Sequence, residues 1–106
     1  MTAAGWIALL GAAAAGALLR HLVGQVVGSR AGTLAVNLSG SLLAGLVTGK
    51  GVVLATGFCG AFTTFSTFTV DTVGLLEQGD LRGAFGNVAR TLVLCAAAAA
   101  AGLALA

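Results

Sequence analysis

The chain has no proline and no tyrosine, a single histidine, a single tryptophan and a single methionine, and very little charge: five basic and three acidic side chains among 106 residues. A soluble domain carries roughly 25% charged residues, so eight charges exclude a water-facing surface of ordinary composition. The net charge of +2 is small and scattered, which excludes the clustered basic face of a nucleic-acid binder. Cys59 and Cys95 stand far apart, with no second cysteine or histidine at a metal-like spacing from either, which argues against a zinc site; both read as small apolar packers. His21 adjoins Arg20 at a helix end with no acidic residue nearby, and no pairing of nucleophile and base stands out. No enzyme is expected, and His21 is read as an interfacial residue or a titratable group at a vestibule.

What is present is apolar: 58% of residues are hydrophobic and the mean hydropathy is +1.07. Charges and glycine-rich breaks leave four apolar stretches, at about 3–19, 32–48, 51–76 and 88–105, against the ~20 residues that one crossing of the hydrocarbon core needs. The expectation is one transmembrane domain over 1–106, with nothing left for a soluble one. Residues 1–5 have no side-chain charge, so the first helix is expected to be retained rather than cleaved as a signal peptide. A membrane barrel would need alternating polarity and a longer chain, whereas Ala-, Leu- and Gly-rich runs satisfy their backbone internally as helices. Small residues recur at four-residue intervals, at Ala12 and Gly16, Gly24 and Gly28, and Ser41, Gly45 and Gly49, which predicts close helix contacts. Arg20, Arg30, Arg82 and Arg90 fall on the side of the first and third loops and Lys50 on the other, a modest orientation bias.

Two segments carry chemistry. Thr33, Asn37 and Ser41 share one face of the second span, a polar stripe inside the membrane. Its asparagine is either an interhelical hydrogen-bonding group or an amide donor lining an ion path. The middle of the third span reads Gly57-Phe58-Cys59-Gly60-Ala61-Phe62-Thr63-Thr64-Phe65-Ser66-Thr67-Phe68-Thr69. Five hydroxyls at that depth suit a broken helix lining a cavity better than a lipid-facing one. A break exposes carbonyls that hold cations and a helix N-terminus that attracts anions. Phe62, Phe65 and Phe68 repeat every three residues, as a packing stripe or as rings whose positive edges face a small anion. Asp71 lies inside or near the end of this span and is a functional candidate or the partner of Arg82 or Arg90.

The run from Gly57 to Phe68, with Gly32-Thr33-Leu34-Ala35-Val36-Asn37 upstream, resembles the signature pair of the Fluc (CrcB) fluoride channels. Length and the four-helix layout match as well. The resemblance implies an antiparallel, dual-topology dimer with two narrow fluoride pores, each built from both subunits. It implies that Phe65 and Phe68 present ring edges to the dehydrated anion and that Asn37 donates its amide. Ser66 and Thr67 would be pore-lining hydroxyls, Arg20 a basic residue at the aqueous mouth, and Asp71 an acid where the longer Glu is common. A structural sodium ion would be held on the dimer axis by the carbonyls of Gly60 and Thr63 from each protomer. The partner would be a second copy or a paralogue of opposite loop charge, in the plasma membrane. The fourth span departs from the family in having Thr91 as its one hydroxyl, with no tyrosine anywhere in the chain, and Ala61 stands where a second glycine is frequent.

Two other functions compete. A small four-helix multidrug transporter needs a membrane-embedded acid in its first helix, and residues 3–19 have none. A non-transporting assembly subunit would use its small residues and Asn37 only to glue helices.

Overall fold

The computed structural model describes the backbone of residues 1–106 and every side chain except that of Ser29. Among the described residues the fold is all helical. Helix α1 spans Ala3–Val27, α2 spans Ser29–Leu46, and α3 begins as a π-wound segment, Val53–Cys59, and ends in one α-turn, Gly60–Phe62. Helix α4 spans Phe65–Glu77 and α5 spans Leu81–Leu105. Three stretches are long and apolar enough to cross a membrane: Ala3–Val27, Val53–Glu77 and Leu81–Leu105. With α2 packed between them, the chain is a multi-pass membrane protein.

Two helices run several residues beyond their apolar stretches, α1 at its C-terminal end and α5 at its N-terminal end. Helix α1 continues past Leu19 through Arg20, His21 and Gln25, because long polar side chains tolerate a helix well and only the membrane edge changes there. Gly28 ends it, with φ +96°, and α2 starts at the next residue. At 25 residues α1 is roughly 37 Å long at 1.5 Å per residue, more than a ~30 Å core requires. Helix α5 starts at Leu81, well before residue 88, because Asp80 caps it: the Gly83 N–H donates to Asp80 Oδ1 at 2.8 Å.

The outer surface of the bundle is apolar, unlike that of a soluble domain. Large side chains such as Ile7, Leu10, Val26, Phe85 and Val93 are exposed, facing the surroundings that lipid provides. Small and polar residues share the interior with a few apolar ones: Gly16, Gly40, Gly45, Gly57 and Gly102 are buried, as are Thr33, Asn37 and Thr64, beside Val36, Phe62 and Leu75. Helix α2 packs chiefly on α5, and α1 on α3. A β-carbon on Gly16 would fall on the Phe58 carbonyl, so the close α1–α3 approach depends on that glycine. Gly28 and Gly49, expected as helix-contact residues, instead occupy turns at positive φ with open space around them.

Candidate functional site

The backbone between α3 and α4 departs from the helix at two residues: Thr63 has φ −73° and ψ 154°, and Thr64 has φ −140° and ψ 111°. The hydroxyl-rich sequence supports this locally. Thr63 Oγ1 donates to the Cys59 carbonyl at 2.9 Å, finishing α3. Thr64 Oγ1 accepts from the Thr67 N–H at 3.1 Å and donates to Thr67 Oγ1 at 3.0 Å, capping α4. From α2, Asn37 Oδ1 accepts from the Thr64 N–H at 2.7 Å while Asn37 Nδ2 donates to the Thr64 carbonyl at 3.0 Å.

These bonds redirect two helical donors. In an unbroken helix the Thr64 N–H would bond the Gly60 carbonyl and the Thr67 N–H the Thr63 carbonyl. Here the first donates to Asn37 and the second to the Thr64 hydroxyl. The space beside the Gly60 α-carbon is open. On the other side of the turn, the first amides of α4 form a helix N-terminus, which favours negative charge.

Two clefts flank this turn, and Thr64 lines both. The first, of about 430 Å³, brings Asn37, Phe65 and Phe68 together with Ser41, Thr91 and Cys95. The Phe65 and Phe68 rings are 5.9 Å apart and tilted by 47°. Phe65 is 78% exposed in the single chain, so the cleft is half a wall rather than a closed tube. The second, of about 490 Å³, gathers Arg20, His21 and Gln25 from α1, Thr33 from α2, and Ser66 and Thr67 from α4. His21 Nε2 and Gln25 Nε2 stand 3.1 Å apart at its edge.

The candidate residues therefore separate into an aromatic and amide group on one side and a basic and hydroxyl group on the other. Asp71 lines neither cleft. Its Oδ2 is buried without a hydrogen-bond partner, so a bond to Arg82 or Arg90 is not made through that oxygen. Cys95, read from sequence only as a packing residue, is part of the first wall one turn beyond Thr91. Its spacing of four residues from the lone hydroxyl of that span was the available signal. Asn87, one turn before Thr91, donates to Thr72 Oγ1 at 2.9 Å and ties α5 to α4.

Residues 6–103 match the sequence profile of a family described as CrcB-like protein, Camphor Resistance (CrcB). The chain is 48% identical to a protein of Symbiobacterium thermophilum named fluoride-specific ion channel FluC 1, over 94% of this chain and 95% of that one. It is 48% identical to fluoride-specific ion channel FluC 2 of Natronomonas pharaonis, over 87% of this chain and 85% of that one. With fluoride-specific ion channel FluC of Methanocaldococcus jannaschii it shares 39% identity over 76% of each chain.

Proposed function

Because the chain belongs to the CrcB-like family, we propose that it is a fluoride-selective channel that exports fluoride passively across the plasma membrane. The observation that carries this reading is the first cleft, where two tilted phenylalanine rings, an asparagine amide and a helix N-terminus converge with no fixed positive charge. Fluoride must shed its water to enter a narrow apolar space, and ring edges, amide N–H groups and hydroxyls offer replacement interactions. None of these binds as tightly as a lysine would, and conduction requires an ion that can leave.

Phe65 and Phe68 receive the anion, Asn37 offers the Nδ2 hydrogen not given to Thr64, and Thr91 extends the polar wall along α5. Arg20 stands at the aqueous mouth, with Ser66 and Thr67 on the hydroxyl surface leading in. Asp71, three residues beyond Phe68, lines neither cleft and acts on the path only indirectly. The third span is read as a helix broken near the bilayer midplane, which the extended backbone of Thr63 and Thr64 supports.

The working unit is an antiparallel, dual-topology dimer, formed with a second copy or with a paralogue of opposite loop charge. The exposure of Phe65 favours it, since an anion path cannot open sideways onto hydrocarbon. The carbonyls of Gly60 and Thr63 suit a structural sodium ion, because each has lost its helical donor and unwound carbonyls are the usual membrane ligands of that cation. The ion would supply charge to hold the two broken helices together. The physiological role is resistance to fluoride that enters an acid-exposed cell as the neutral acid and is trapped as the anion.

Current across a planar bilayer tests this reading. With opposed fluoride and chloride gradients, the current should reverse at the fluoride equilibrium potential. Reversal at the chloride potential, or no current from folded protein, would remove it.

A further inference from the structure

The turn between α3 and α4 is held from outside its own span. Thr64 is extended, and an extended residue presents its N–H and C=O toward the same neighbour, as in a hydrogen-bonded antiparallel pair. Asparagine carries an acceptor oxygen and a donor nitrogen on one planar group, so it can meet both at once. Asn37 does so from 27 residues away, at 8% exposure, with the two bonds of 2.7 and 3.0 Å.

We propose that Asn37 is the positioning residue that keeps the third span open at Thr64. By taking the Thr64 N–H, its Oδ1 withholds the donor that would return to the Gly60 carbonyl and close the helix. By donating to the Thr64 carbonyl, its Nδ2 fixes the residue that caps α4. The closed alternative leaves a buried amide without partners in an apolar surrounding, which opposes closure. One side chain thus sets both faces of the turn: the Gly60 carbonyl on the cation side and the α4 N-terminus on the anion side. This goes beyond a donor role toward fluoride, and its cation consequence rests on the sodium reading above.

The test is the thermal midpoint of full-length protein in detergent, measured against sodium concentration with N-methylglucamine holding ionic strength constant. Wild type is expected to gain stability with sodium. Asn37→Leu, of the same branched shape but without hydrogen bonds, is expected to need at least about tenfold more sodium for the same gain, as for a site of weakened affinity. Asn37→Asp keeps an acceptor for the Thr64 N–H and is expected to retain the response. An Asn37→Leu curve that coincides with wild type overturns the proposal while leaving the sodium reading intact. A wild type indifferent to sodium overturns the sodium reading and the cation consequence with it. Amide exchange at Thr64 decides the clamp without any variant: the wild-type amide should exchange slowly even without sodium, and fast exchange there overturns the proposal even if Asn37→Leu does not fold.

Discussion

Gly45 and Gly102 lie against each other across α2 and α5, each where the other helix leaves no room for a side chain. A β-carbon on Gly45 would fall on the Ala99 carbonyl, and one on Gly102 would fall on the Leu42 carbonyl. The obstacle in both cases is backbone, which cannot swing aside as a rotamer can. Contact of this kind, rather than burial of large side chains, holds the pair together in lipid.

Gly45→Ala and Gly102→Ala are therefore expected to destabilise the protein by roughly 1–3 kcal/mol each, the range for overpacking a tight contact. Gly11→Ala is the control, since the space over Gly11 is open and alanine favours the helix. Thermal midpoints in detergent should fall for the first two and hold or rise for the third.

Asn87 gives a smaller effect. Its bond to Thr72 Oγ1 joins α5 to α4. Interhelical hydrogen bonds in membrane proteins contribute about 0.6 kcal/mol on average, so a double-mutant cycle of Asn87→Leu and Thr72→Val should return a coupling of that order. A coupling several times larger would contradict this estimate.

Composition and hydropathy were enough to read the membrane class and the helical fold, because eight charges leave no other solvent for the surface. Helix ends were harder to read. Hydropathy marks where lipid stops, while Gly28 and Asp80 mark where the helices stop, and the two differ by several residues at α1 and α5. The four-residue spacing of small residues identified Gly16 and Gly45 as contact residues but also included Gly28 and Gly49, whose positive φ puts them in turns. The π-wound stretch of α3 has no evident signal, since its residues suit an α-helix equally well. In the site, the hydroxyls and phenylalanines stood out by type. The Asn37–Thr64 pairing did not, because it joins residues that only the packing of α2 on the third span brings together.

Asp71 separates the channel from proton-coupled export. Asp71→Asn keeps the size of the side chain and removes its charge. Since the carboxylate lines neither cleft and has a buried oxygen without a partner, the variant should be at least as stable as wild type and should still conduct fluoride. A transporter that couples efflux to an embedded acid would lose transport altogether. Fluoride flux and thermal midpoint, measured on the same preparation, check both halves.

The most direct measurement is fluoride release from liposomes containing equal amounts of wild type, Phe65→Ile or Phe68→Ile, read with a fluoride electrode and with chloride release as the control. Isoleucine keeps apolar bulk but has no aromatic edge. Rapid fluoride release by wild type without chloride release, falling in either variant to the rate of protein-free liposomes while the protein stays folded, is the result expected of a channel that holds its anion between ring edges. Unchanged fluoride release from both variants would contradict it.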